Sequence, residues 1–335
     1  MLIGDLGEEA LLKELRSLFA AAQPDVPTGI GDDAAVISFP PGAEGVWTTD
    51  LLIEGVHFRR DWQTPGQLGR KCLSVNLSDI ASMGATPRFA LLSFACPAST
   101  PLDYILEFGR GLAELAAETG VTVIGGDTSG SASGEIIVSI AVGGYVASGC
   151  AVLRSGAQPG DSILVTGYLG NAAGGLNLLD AGGDAKYPGL IEAFINPAAR
   201  LVAAKAASEA GATAMTDISD GLASDLRHIC EESGTGAQLR RESLPASVQL
   251  EKAAVEHGWD LESMILTGGE DYELLFTLPS DMAGPIKAVI AAASTVPVSI
   301  IGEIMPHGYG IQILDLDGKQ QPLPIHGFDH FLKND

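Results

Sequence analysis

The stretch Ala214-Met215-Thr216-Asp217-Ile218-Ser219-Asp220-Gly221-Leu222 carries the residue types that bind a hard cation and a phosphate. It reads as the end of a short buried strand that delivers two carboxylates and a hydroxyl before Gly221 turns the backbone into an apolar helix. Unpaired acids at such a place are expensive to desolvate. Mg²⁺ removes that cost, because it prefers carboxylate and hydroxyl oxygens and completes its shell with water and substrate phosphates. The same grammar recurs at Gly31-Asp32-Asp33, Thr48-Thr49-Asp50, Leu77-Ser78-Asp79 and Gly125-Gly126-Asp127-Thr128. Taken singly, each is an ordinary turn or cap residue. Taken together, with Asp50, Asp127 and Asp217 expected to end apolar strands and Asp79 to lie on an apolar helix, they are expected to converge on one metal and phosphate site.

These acids need a large scaffold, and 335 residues, 46% of them hydrophobic, are enough for two domains with a substantial core. The charge balance, 19 − 42 = −23, excludes a nucleic-acid backbone as partner, since phosphate neutralisation needs clustered Lys and Arg. Cys72, Cys96, Cys150 and Cys230 form no CxxC pair and read as core residues of a cytoplasmic protein. Glu8, Glu9 and Glu14 interrupt any export signal, and the apolar run 288–302 contains Pro297 and is too short to span a bilayer, so no membrane partner is expected.

In order along the chain, Leu11, Leu15, Leu18 and Phe19 predict a helix, Ala34 to Phe39 a strand, and Gly45 to Asp50 a second strand. Gly29-x-Gly31-x-x-Ala34 is no dinucleotide fingerprint, because a loop precedes it and a strand is expected after it. Asp32 and Asp33, adjacent in extended backbone, face opposite ways, so one of them is expected in solvent. Thr64-Pro65 starts a helix that Gly84 stops, with Asn76 and Asp79 three apart on one face. A helix from Pro101 to Thr119 closed by Gly120, a strand Val121 to Ile124 ending in Gly125-Gly126-Asp127, and a strand Glu135 to Val146 complete a first domain, 1–148. The second, 149–335, alternates strands at 162–166, 214–218, 236–240, 272–278 and 298–304 with helices, and ends in a hairpin around Asp317-Gly318. The fold class is α+β.

No GxxxxGK[ST], HExxH, GxSxG or kinase HRD/DFG set occurs. By themselves His57 reads as a structural polar residue, Arg154 as a loop charge, Glu270-Asp271 as the turn before a strand, and Phe328 as terminal packing. However, GIGDDAAV (29–36), TTDLLIEGVHF (48–58), VNLSDIASMGA (75–85), IGGDT (124–128), LRSGAQPGD (153–161), DISDGLASDL (217–226) and GGEDYELLF (268–276) resemble, in order, the motifs of the thiamine-monophosphate kinase family. That resemblance implies a two-domain aminoimidazole ribonucleotide synthetase-like fold, with an amino-terminal domain that joins a β-barrel in a homodimer and a carboxyl-terminal α/β domain. It also implies that Asp33, Thr48, Thr49, Asp50, Asp79, Asp127 and Asp217 bind magnesium and that Asp220 holds a further ion. Gly126, Asp127, Arg154 and Ser219 match positions that contact ATP, and His57, Glu270 and Phe328 positions that contact thiamine phosphate. Phe328 replaces a Tyr or Trp common in relatives, and Val56 an Asn found in some.

The implied reaction moves the γ-phosphoryl group of ATP to thiamine monophosphate, giving thiamine diphosphate and ADP, the last step of thiamine diphosphate biosynthesis. A phosphate monoester has a second pKa of about 6, so the nucleophile is already ionised near neutral pH and no general base is expected. The obstacle is repulsion between two polyanions, which several Mg²⁺ ions on many carboxylates relieve. The alternatives are an ATP-dependent synthetase acting on another small molecule, or a magnesium-nucleotide sensor without catalysis. A selenophosphate synthetase is disfavoured because no Cys precedes Cys72.

Overall fold

The computed structural model describes residues 1–19, 23–183 and 185–324, so Phe328 lies outside the described residues. The chain divides into two compact units, residues 1–80 with 85–150, and residues 81–84 with those from 151 onward.

The first unit holds α1 (Ile3–Leu6), α2 (Glu8–Phe19), β1 (Ala43–Ile53), α3 (Pro65–Ser82, whose last residues belong to the second unit), β2 (Thr86–Cys96), α4 (Leu102–Thr119), β3 (Thr122–Gly130) and β4 (Ile137–Ala147). Its sheet has the order β1-β4-β2-β3, with β2 and β3 parallel and the other pairs antiparallel. Helix α2 buries Leu11, Leu15 and Phe19, one stripe at helical spacing, and α4 buries Ile105, Phe108, Leu112 and Ala116. A capping box starts α3: Thr64 Oγ1 accepts from the Gln67 N–H (3.2 Å) and Gln67 Oε1 from the Thr64 N–H (2.9 Å). Gly84 (φ +67°) ends that region and Gly120 (φ +72°) closes α4, as their positions in the sequence predict.

The second unit holds β5 (Asp161–Thr166), α5 (Asn171–Asp180), α6 (Pro188–Ile195), α7 (Leu201–Glu209), β6 (Ala214–Ile218), α8 (Leu222–Ser233), β7 (Thr235–Arg240), α9 (Val248–His257), α10 (Leu261–Thr267), β8 (Glu273–Pro279), α11 (Ser280–Ala293), β9 (Val298–Pro306), β10 (Ile311–Leu314) and β11 (Gln320–Pro322). Its sheet runs β11-β10-β7-β9-β5-β8-β6, parallel only between β10 and β7. β6 and the first six residues of β8 are buried throughout, and helix α8 packs Leu222, Ala223, Leu226 and Ile229 into the same core.

Several expectations need correction. Ala34 to Phe39 is not a strand: Val36 makes one isolated bridge to Thr28, and Val36 and Phe39 are exposed, so no neighbouring strand covers their apolar side chains. Asp50 and Asp127 do not end their strands, since β1 runs on to Ile53 and β3 to Gly130. The glycine pair reads as a stop in the sequence but lies inside the β2–β3 ladder, just after an irregularity at Ile124, where Val123 and Gly125 pair with consecutive residues of β2. Gly126 is needed there because a Cβ would lie 1.9 Å from the Leu92 carbonyl oxygen. Helices α9 and α10 fill a stretch left unassigned from sequence. Of the cysteines, all free, Cys150 is exposed and therefore not a core residue.

Candidate functional site

In the first unit the alternation of β1 decides which acids meet. Thr48, Asp50 and Leu52 share one face, and Thr49 lies on the other, where its hydroxyl meets Ser139 Oγ at 3.3 Å. The first face meets the Asn76/Asp79 face of α3: Thr48 Oγ1 donates to Asp79 Oδ2 (2.5 Å), and the Asp50 N–H donates to Asn76 Oδ1 (3.0 Å). Asn76 is fully buried and its Nδ2 donates to the Cys72 carbonyl (3.0 Å), which fixes the amide with its oxygen toward β1. Burial, and then the charge of Asp79, push the Asp50 carboxyl up to about 7. Asp33 is exposed, as is Asp32, whose Oδ1 accepts from the Asp33 N–H (2.9 Å); Gly126 and Asp127 are exposed on β3.

His57 is held from both ends. The Ile53 N–H donates to its Nδ1 (3.1 Å), which assigns the ring proton to Nε2, and Lys71 Nζ donates to its carbonyl oxygen (3.3 Å). Lys71 is fully buried on α3 and has no signal in the sequence beyond a charge in an apolar run.

In the second unit Asp217 is buried near the end of β6, 3% exposed, and Arg154 Nε donates to Thr216 Oγ1 (3.3 Å) on the residue before it. Ser219 and Asp220 form the turn into α8, with Gly221 at φ +111° pressed against the backbone of Thr267. Asp225, one turn into that helix, accepts from the Ser219 N–H (3.1 Å) and the Asp220 N–H (3.2 Å) through one oxygen. Burial and the neighbouring Asp220 push Asp225 up to about 7, and these two N–H bonds pull the other way. The Glu270 N–H donates to the Ser219 carbonyl (2.8 Å), which brings Glu270 and Ser219 together. Sequence reasoning assigned no role to Asp225, because an acid that caps and an acid that ligates look alike in a sequence.

Among the described residues no group of three or more His, Cys, Asp or Glu is arranged to hold a metal ion. The donor set nonetheless fits Mg²⁺, which takes only one or two carboxylates and leaves the remaining positions to water and phosphate. All its candidate donors are oxygens, and Asp50 and Asp79 repel each other as they stand, a cost that a divalent cation relieves. No helix among the described residues is long and apolar enough to cross a membrane.

Residues 31–146 match the AIR synthase related protein N-terminal domain, and residues 158–313 the corresponding C-terminal domain. The chain is 36% identical to thiamine-monophosphate kinase of Salmonella typhimurium over 333 residues, 97% of this chain and 98% of that protein. The crystal structure of thiamine-monophosphate kinase from Stenotrophomonas maltophilia superposes with a TM-score of 0.83 at 34% identity, covering 94% of this chain and 98% of that one. The structure of AaThiL complexed with AMPPCP and TMP superposes with a TM-score of 0.77 at 32% identity, covering 99% of both chains.

Proposed function

The chain belongs to the thiamine-monophosphate kinase family, and from that premise we propose that it transfers the γ-phosphoryl group of ATP to the phosphate of thiamine monophosphate, releasing ADP and thiamine diphosphate. The observation that carries this reading is that the likeness runs the full length of the chain and includes a relative complexed with AMPPCP and TMP.

Asp33, Thr48, Thr49, Asp50, Asp79 and Asp127 of the first unit, with Asp217 and Asp220 of the second, are assigned to several Mg²⁺ ions. Bound Mg²⁺ neutralises the phosphates of donor and acceptor. Gly126, Asp127, Arg154 and Ser219 are assigned to ATP, and His57 and Glu270 to thiamine monophosphate, together with Phe328 outside the described residues. The geometry of His57 supports its part: the Ile53 N–H donates to Nδ1, which fixes the ring and puts its proton on Nε2. Asn76 holds the backbone of Asp50, and the Thr48 hydroxyl holds the Asp79 carboxylate in place. Transfer is direct and in line, without a phosphoenzyme.

A homodimer in the cytoplasm is part of the same reading. Trp47, Leu51 and Leu91 are exposed on the sheet of the first unit, and the Trp47 ring lies over Gly143, where a Cβ would come within 2.5 Å. Four free cysteines suit a reducing compartment.

The test is ADP release from Mg-ATP with thiamine monophosphate, with free thiamine and an EDTA-treated sample as controls and mass analysis of the product. Thiamine diphosphate is expected only with the monophosphate and Mg²⁺. Bound ATP without any dependence of ADP release on thiamine monophosphate would leave a sensor and end this proposal.

A further inference from the structure

Two residues of the second unit that carry side chains stand in left-handed backbone, Glu270 at φ +63° and Tyr272 at φ +50°. Such positions are disfavoured for any residue other than glycine. Gly268 and Gly269 precede them, yet neither has positive φ: Gly268 is extended at φ −69°. The glycines serve close approach instead. A Cβ on Gly268 would come within 2.3 Å of the Met264 carbonyl oxygen, and one on Gly269 within 2.6 Å of the Ser219 carbonyl oxygen. The strain therefore falls on the two residues that flank Asp271, and something must hold it there.

The holding contacts are on the alternate residues. Asp271 Oδ2 accepts from the Gly170 N–H (2.7 Å) and Oδ1 from the Ala172 N–H (3.2 Å), where α5 begins. Glu273 is gripped by Arg200, Nε to Oε2 at 2.6 Å and Nη2 to Oε1 at 2.5 Å, and by the Thr166 hydroxyl at 2.6 Å. Thr166 Oγ1 also accepts from the Leu274 N–H (2.8 Å), and Gly167 leaves the room that Glu273 occupies. The N–H groups of Glu270, just before the first anchor, and of Tyr272, between the two, donate to the carbonyls of Ser219 and Ile218. A helix cap alone would leave residues 270 and 272 free to relax. The Ser219 bond at Glu270 and the Arg200–Glu273 grip beyond Tyr272 prevent it.

We propose that Asp271, opposed by the Arg200–Glu273 pair, is a positioning residue that fixes Glu270 against the Ser219–Asp220 turn and so sets affinity for thiamine monophosphate without touching ATP. This deepens the proposed function and rests on its assignment of Glu270 to that substrate. Asp271→Asn keeps the side-chain volume but can accept only one of the two backbone N–H bonds.

The test is steady-state kinetics of the full-length enzyme carrying Asp271→Asn, Glu270→Ala or both, with thermal melts on each. Displacing one substrate contact should raise KM for thiamine monophosphate about tenfold in Asp271→Asn while KM for ATP stays within about twofold. The double variant should match Glu270→Ala alone, a non-additivity that a general loss of stability does not produce. Additive effects, or equal rises in both KM values, overturn the proposal while leaving the role of Glu270 intact. An unchanged KM in Glu270→Ala removes the premise and the proposal with it. If Asp271→Asn does not fold, Arg200→Lys loosens the other anchor and must give the same split between the two KM values.

Discussion

Carboxylates in the first unit face one another, whereas in the second unit the acids Asp225, Asp271 and Glu273 have been given backbone N–H groups, a hydroxyl or a guanidinium. Asp50 is pushed up to about 7 by its burial and by the charge of Asp79. Asp225 and Asp271, also pushed up to about 7 by burial, accept two backbone N–H bonds each, and Glu273 is paired with Arg200. The difference separates two uses of one residue type. An acid that accepts backbone N–H groups or a guanidinium holds backbone geometry, as Asp225 does even beside Asp220; an acid set against another acid without such donors is a place for a cation.

That contrast makes graded predictions. Asp79→Asn should lower turnover by roughly a thousandfold or more while the protein stays folded by circular dichroism, since it removes a charge meant for the metal. Wild-type turnover would take Asp79 out of the cation set. Asp225→Asn should cost less, about thirtyfold in kcat, because it loosens the Ser219–Asp220 turn without removing a ligand; a loss as large as that of Asp79→Asn would erase the distinction. The pH dependence comes next. Asp50 holds a proton below about 7 and must lose it to bind metal, so the Mg²⁺ concentration for half-maximal rate should rise as pH falls, by up to about tenfold per unit below 7 and little above it. Titrations at about pH 6, 7 and 8 measure this, and a flat response denies Asp50 a place at the metal. Smallest of all, Arg70→Ala breaks the exposed pair with Glu118 and should change stability by less than about 1 kcal/mol, with kcat unaffected. This variant calibrates the melts for the others.

Much of the scaffold of both sets was legible from local pattern. The run Thr216 to Leu222 reads as strand, turn and helix because the apolar residues and Gly221 agree at every position, and Asn76 and Asp79 share a face because they are three apart on a helix. What the pattern hides is partnership across the chain. Nothing near Asp271 in sequence announces residues 170 and 172, about a hundred positions away, and nothing near Arg200 announces Glu273. Residues 34–39 differ in the opposite direction: their composition suits a strand, but a strand needs a neighbouring strand, and here one bridge to Thr28 and a bond from the Ser38 N–H to the Asp25 carbonyl stand in its place. Gly125-Gly126 looks like an ending in sequence, whereas here the missing side chain of Gly126 lets two strands close up.

Trp47 carries a practical consequence. Of the three tryptophans, Trp62 lies under the Arg59 guanidinium and Trp259 is stacked on His257, while Trp47 sits on the open sheet face with 48% of its surface in solvent. Its indole emission is therefore placed to register whatever covers that face: a blue shift on raising the protein concentration, absent from Trp47→Phe, would report self-association in a cuvette with no label attached.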